Sequence, residues 1–196
     1  MSRAFVLAAL VAATTASASD RILRAELELP APVAEVWKVW TTEEGVKSFF
    51  APGAHLEPRV DGLYEIWFNP AAEPGMRGAD GMRILAFEPE RRLAFTWNAP
   101  PSIPSIRGQR TIVVVEMQPA GEGRTKLRFT HLGWGDGEAW DQAYAYFDGA
   151  WRTRVLPRLK RRFEKGPAEA WKEEILPPVA PSLRLELVPA ARSSER

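Results

Sequence analysis

A chain of 196 residues with 26 basic and 25 acidic side chains carries a formal charge of +1 and contains no cysteine. The length suits one domain with extra segments at its ends. Near-neutrality excludes a strong attraction to nucleic acid or an acidic membrane surface, and disulfide staples are excluded outright. Eight tryptophans demand a large apolar interior.

Residues 1–18 have the composition of a secretory signal. Arg3 precedes an apolar run from Ala4 to Ala13, and the triplet Ala16-Ser17-Ala18 supplies a small-residue cleavage site. Cleavage before Ser19 and a secreted or periplasmic location are therefore expected. The run is too short to span a bilayer, so the mature chain is expected to have no integral membrane span.

A domain is expected over residues 20–165. Ile22 to Leu29 alternates apolar and charged residues, the pattern of a half-buried strand, and Pro30 ends it. Val33, Val36, Trp37 and Trp40 recur at steps of three and four, which predicts a short helix. The stretch TTEEGVKSFFAP (41–52) predicts a second one, with Thr41 or Thr42 as N-cap and Glu44 near the positive end of its dipole. Phe49 and Phe50 are adjacent, so they cannot share a helical face.

From residue 54 to 132 the period becomes two. Asp61-Gly62 predicts a two-residue hairpin turn, and Glu88-Pro89-Glu90-Arg91 a type I turn. Leu93–Trp97 and Leu127–His131 place their large odd-numbered residues on one face. Leu63–Phe68 and Ile112–Val115 are apolar on both faces, so parity does not choose the inward side. Asn69–Asp80 and Asn98–Gly108 are longer than a hairpin needs and predict rim loops, either lids or filler.

Glu138 to Lys165 predicts one long helix with Trp140, Tyr144, Phe147, Trp151, Val155, Leu159 and Phe163 on a single stripe. Gly149 weakens it and Pro157 should bend it. Its basic end, Arg158, Lys160, Arg161, Arg162 and Lys165, matches a solvated helix C-terminus. Residues 166–196 form a Pro- and Ala-rich tail, with a helical pattern at Ala168–Ile175 and an alternation at Leu183, Leu185 and Leu187. The basic end or this tail offers a surface to a protein partner.

This order of elements resembles the START-like, or SRPBCC, superfamily, and within it the domain of activators of the ninety-kilodalton heat-shock-protein ATPase. The matching residues are Pro30-Ala31-Pro32, Val36-Trp37, Trp40-Thr41 and Phe49-Phe50-Ala51-Pro52. They continue in Glu57-Pro58-Arg59-Val60 with Gly62, Leu93–Trp97, Gly123–Thr125 with Leu127, Thr130-His131, Gly133-Trp134 and Trp151. The resemblance implies an α+β helix-grip fold: a curved antiparallel sheet of about seven strands around a long C-terminal helix, with two short helices after the first strand. It also implies a cavity between sheet and helix, with one of Phe49 and Phe50 packing against the sheet and helix layer and the other facing the hollow. Members of the superfamily carry lipids or pigments, cyclise polyketides, or regulate a chaperone.

Strand parity turns His131 inward with Leu127 and Phe129, where it is a candidate acid–base or ligand-orienting group. His55 is expected at the surface. Trp40, Phe50, Trp67, Phe95, Trp97, Phe129, His131, Tyr144, Phe147 and Trp151 are the candidate ligand-binding set, since buried indole and phenol groups need polar partners that a cavity can supply. No metal site, cofactor or nucleotide motif is expected from two histidines and no cysteine. Three readings follow. The first is an exported protein binding a small apolar or aromatic molecule, the second a cyclase- or hydro-lyase-type enzyme using His131, and the third a chaperone-ATPase regulator if the chain is cytosolic. An open pocket near Phe50 and Pro104 would support the first, and a filled interior would point to a function exerted at the surface.

Overall fold

The computed structural model describes residues 21–167. The predicted signal segment, the Ala168–Ile175 helix and the Leu183–Leu187 alternation lie outside them. The chain begins with β1 (Leu23–Leu29), α1 (Val33–Thr41) and α2 (Glu43–Lys47). Seven further strands follow: β2 (Gly53–Leu56), β3 (Tyr64–Trp67), β4 (Gly78–Ala79), β5 (Ile84–Glu88), β6 (Arg92–Trp97), β7 (Thr111–Pro119) and β8 (Thr125–Leu132).

The strands form a five-stranded antiparallel sheet in the order β1-β8-β7-β6-β5 and a three-stranded one in the order β2-β3-β4. A bridge between Leu63 and Arg83 and backbone hydrogen bonds from Tyr64 to Met82 and from Ile84 to Gly62 join the two across a seam. The seam bends the sheet, giving the curved surface a gripped helix requires. The count is eight where about seven is expected, because the short β4 forms within the Asn69–Asp80 loop.

Local chemistry explains most boundaries. In α1, Val36, Val39 and Trp40 are buried together, as their spacing demands. Thr42 caps α2 by accepting from the Gly45 N–H at 3.0 Å. Gly45 allows the two helices to touch: a Cβ there would lie 2.5 Å from the Lys38 carbonyl oxygen and the Val39 Cα. Two turns differ from expectation. Asp61 has φ 61°, but the β2–β3 connection runs from residue 57 to 63, longer than a two-residue hairpin turn. At Glu88–Arg91 the bond from the Arg91 N–H to the Glu88 carbonyl closes the turn, and Glu90 has φ 59°; positive φ at the third position belongs to type II, not type I.

The long C-terminal helix is divided. α3 (Glu138–Ala150) runs into a π-helical segment, Trp151–Val155, and then α4 (Leu156–Lys165). The Leu156 N–H reaches back five residues to the Trp151 carbonyl. Pro157 cannot donate a helical hydrogen bond, and the wide turn just upstream absorbs that loss instead of a sharp kink. α4 is not simply solvated at its basic end. Arg162 donates to the Ser48 hydroxyl at 2.8 Å, Arg161 is buried, and Arg158 and Arg161 both have partners. That end helps clamp the helix to the roof formed by α1 and α2.

Candidate functional site

The concave face of the sheet, α1, α2 and the divided helix enclose an aromatic interior with two halves. Trp151, at the start of the π segment, joins them. Its ring touches Phe50 (5.4 Å between centroids), Trp97 (5.8 Å) and Phe129 (4.4 Å), and it stands edge-on to His131 (6.0 Å).

The first half centres on His131, which is fully buried, as its strand parity predicts. The indole N–H of Trp151 donates to His131 Nδ1 at 3.0 Å. Because an indole only donates, Nδ1 must be the unprotonated nitrogen, so in the neutral ring Nε2 carries the hydrogen. Nε2–H therefore donates to Thr111 Oγ1 at 2.7 Å, and the Thr111 hydroxyl, itself buried, donates on to the Trp97 carbonyl at 3.4 Å. Burial pushes the His131 pKa down to about 3. At neutral pH the imidazole is uncharged, and both its nitrogens are occupied by protein. In this arrangement its polar atoms are bonded inside the core. Trp134, whose indole donates to the His131 carbonyl at 3.2 Å, and Phe147 pack against the same ring.

The second half centres on Phe50. Phe49 and Phe50 belong to one ring cluster. Both are fully buried, stacked on each other at 5.5 Å, and both meet Trp40 edge-on. Phe50 alone extends further, stacking on Trp97 at 5.7 Å and meeting Phe68 at 5.8 Å. Phe95 lies behind it, stacked on Tyr64 at 4.2 Å and edge-on to Trp97. Phe50 is fully buried among these rings, which stand where an open hollow beside Phe50 and Pro104 is expected. They fill the space with mutual contacts, and Ile103 and Ile106 on either side of Pro104 are buried.

Polar satisfaction separates the indoles of the two halves, although the buried Trp67 N–H on the outer face and the Tyr144 hydroxyl beside Trp134 also lack partners. The Tyr64 hydroxyl donates to the Trp40 carbonyl at 2.8 Å, but the indole N–H groups of Trp40 and Trp97 are buried without any acceptor. An unpaired buried donor costs about 1–3 kcal/mol, and Phe50 is an aromatic neighbour of both rings that carry one, edge-on to Trp40 and stacked on Trp97.

Two predicted site residues lie elsewhere. Trp67 alternates away from Tyr64 and Ile66, onto the outer face of β3, where the Arg77 guanidinium stacks 4.1 Å from its ring. Tyr144 sits at the flank of α3 against Trp134 and beneath Arg21, and burial foremost raises its pKa. Of the rest, Trp40, Phe50, Phe95, Trp97, Phe129 and Trp151 converge; Phe147 belongs to the histidine half. His55, expected at the surface, is half-exposed and faces Glu43 at 3.2 Å.

Sequence reasoning missed Phe68, Thr111 and Arg107. Phe68 shares the parity of Tyr64 and Ile66 and stands at the rim, 47% exposed, over Phe50. Arg107 ties the two long loops together. It donates to the carbonyls of Gly75 (2.6 Å) and Gly78 (2.7 Å) in one loop and Ala99 in the other. Asp80 lies 3.7 Å from its guanidinium. Burial opposes ionisation of Asp80, yet its bonds to Arg77 and the N–H groups of Gly75 and Gly78 outweigh that and hold its pKa below the ordinary carboxylate value. Among the described residues, no cluster of histidine and carboxylate side chains could hold a metal ion, and no helix is long and apolar enough to cross a membrane.

A curved antiparallel sheet closed by a divided C-terminal helix, with two short helices as a roof, defines a helix-grip domain of the START-like class. The chain belongs to the family described as "Activator of Hsp90 ATPase homolog 1-like protein", whose model matches residues 30–164. Solved structures share the fold at low identity. The Aha1 dimer from Colwellia psychrerythraea is 20% identical, with 74% of this chain and 97% of that one covered and a TM-score of 0.57. A protein from Mesorhizobium loti is 21% identical, covering 76% and 96%, with a TM-score of 0.55. An HSP90 activator from Plasmodium falciparum is 14% identical, covering 69% and 91%, with a TM-score of 0.54. No curated protein matches the chain in sequence.

Proposed function

We propose that this domain binds a small, uncharged, largely aromatic molecule carrying a hydrogen-bond acceptor, seated in the Phe50 half of the interior. One observation carries the reading: Trp40 and Trp97 each bury an indole N–H with no acceptor, and Phe50 touches both rings. A carbonyl or ether oxygen inserted there satisfies donors the protein leaves unpaired. A flat apolar body replaces the contacts of Phe50 with its neighbours. Entry requires Phe50 to swing, with the exposed Phe68 ring as the outer door and the π segment at Trp151 as the yielding part of the wall. A secreted or periplasmic location, with the N-terminus at Ser19, belongs to the same reading.

The test is a matched pair of probes, naphthalene and 2-acetylnaphthalene, followed by tryptophan fluorescence and melting temperature. The ketone is expected to bind about 3–10-fold more tightly, the worth of one net hydrogen bond. Trp97→Phe should bring it down to the hydrocarbon. If neither probe, nor a wider aromatic panel, changes fluorescence or melting temperature, the reading fails.

A second reading follows from the family and from the Plasmodium neighbour, which is an HSP90 activator. A filled interior suits a domain that acts through its surface. That role needs a cytosolic chain with an uncleaved N-terminus, which cell fractionation with N-terminal sequencing decides, and it needs stimulation of a chaperone ATPase. The cyclase-type reading finds no support in His131, whose ring is neutral and fully hydrogen-bonded.

A further inference from the structure

The five-stranded sheet ends at β1, which pairs with β8 on one side only. In an antiparallel strand every second residue turns its N–H and C=O away from its partner, so β1 presents a row of such groups on its outer side. Among the described residues, no backbone hydrogen bond from another element reaches residues 23–28 on that side. Beside this edge runs a groove of about 790 Å³. It is lined by Glu26, Leu27, Glu28 and Pro30, by Arg124 and Lys126 at the start of β8, and by Lys160, Phe163 and Glu164 of α4. An edge strand of seven residues, with a groove of mostly charged lining at its C-terminal half, is a template for another strand.

The chain carries a segment written in the same pattern as β1. Residues 23–27 read Leu-Arg-Ala-Glu-Leu, and residues 183–187 read Leu-Arg-Leu-Glu-Leu. We propose that the outer edge of β1 and its groove are the docking surface for residues 183–188 of the same chain, added as an antiparallel strand. One register satisfies every pair. Leu183, Leu185 and Leu187 stand opposite Leu27, Ala25 and Leu23, whose side chains all face the core. In the same register Arg184 stands opposite Glu26 and Glu186 opposite Arg24, so both charged pairs on the outer face are of opposite sign. A shift by one residue would set leucines against charges.

Chain geometry agrees. α4 ends at Lys165 beside the groove its own Glu164 lines, next to the C-terminal half of β1. An antiparallel addition begins at that end. The connecting residues 166–182 reach about 55 Å when extended, well beyond the length of β1.

Amide hydrogen exchange on the full chain tests this, read at the β1 amides that point away from β8. Wild type should protect them, and the double substitution Leu185→Lys with Leu187→Lys should speed their exchange at least 10-fold while β7 amides stay unchanged. Adding a synthetic peptide of residues 182–189 to that variant should restore protection, a rescue that general damage to the fold would not permit. Free exchange of those amides in wild type overturns the proposal, as does protection that survives the double substitution. Protection that rises with protein concentration, accompanied by a two-copy mass, also overturns it, because the occupant is then a second molecule.

Discussion

The two halves of the aromatic interior use the same residue types to opposite effect. Around His131, each indole and imidazole N–H finds an acceptor: Trp151 to His131, His131 to Thr111, Trp134 to the His131 carbonyl. Around Phe50, Trp40 and Trp97 find none. Both halves are equally dry, so burial does not separate them. A buried polar group that is paired helps specify a single packing; one left unpaired is a strain held in place by its neighbours. Under the proposed function the histidine half is scaffold and the phenylalanine half the seat of the ligand.

The largest expected contrast is in acid. The His131 pKa lies near 3 when folded and near 6.5 in an unfolded chain. Folding thus keeps this ring unprotonated, and its contribution is complete above the unfolded value. As pH falls below about 6.5 the unfolded state takes up a proton that the folded state refuses, so stability declines through the window down to about 3. Between pH 7 and pH 5 the loss should be about 2 kcal/mol from this residue alone. Urea unfolding at both values, on wild type and on His131→Gln, measures it. Equal pH dependence in the two proteins would place the effect elsewhere, Asp80 and Glu26 being the carboxylates with lowered pKa that titrate further into acid.

A smaller contrast compares two tryptophans of equal burial. Trp151→Phe leaves His131 Nδ1 without its donor, a buried polar atom orphaned, at about 1–3 kcal/mol beyond the lost volume. Trp97→Phe removes a donor that was already unpaired, so its cost is the packing change alone. The first variant should be the less stable by about 1 kcal/mol or more in chemical denaturation. Equal losses would mean that Trp97 has an acceptor after all, and the distinction between the halves would collapse.

Much of this architecture is legible in the residues themselves. The alternation of Leu23 to Leu29, the spacing of Val36 and Trp40, and the odd-numbered faces of β6 and β8 place the strands, the first helix and an inward His131. What the sequence does not disclose is who pairs with whom. Thr111 lies two residues along β7 from Val113, the residue opposite His131, and Trp151 comes from a helix twenty residues later; only the sheet register and the helix docking bring them to one ring. The π segment is equally hidden, because Pro157 announces a lost hydrogen bond but not how the chain makes room for it. The packing of the interior is hidden for a related reason. Ring size sets how much volume must be filled, while the stacking of Phe49, Phe50 and Trp97 decides whether any stays open. Phe68 continues the inward face of Tyr64 and Ile66, but Leu63–Phe68 is apolar on both faces, so only the folded sheet shows which face is inward.

The smallest expected effect concerns the rim above the phenylalanine half. Arg107 holds the Asn69–Asp80 and Asn98–Gly108 loops together through three carbonyls, and Asp80 balances its charge. Arg107→Ala should cost no more than about 1 kcal/mol of global stability, since most of these bonds lie at a partly exposed rim and Asp80 keeps Arg77 as a partner. Its local consequence is larger. Released from Arg107, the two loops should exchange amide hydrogen faster, while the amides of β7 and β8 around His131 should not change. If Phe68 is the door to Phe50, the same variant should also speed association of 2-acetylnaphthalene and leave its affinity nearly constant, because loosening a door changes passage more than the seat. An association rate unchanged alongside loosened loops would show that entry lies elsewhere, and attention would move to the π segment at Trp151.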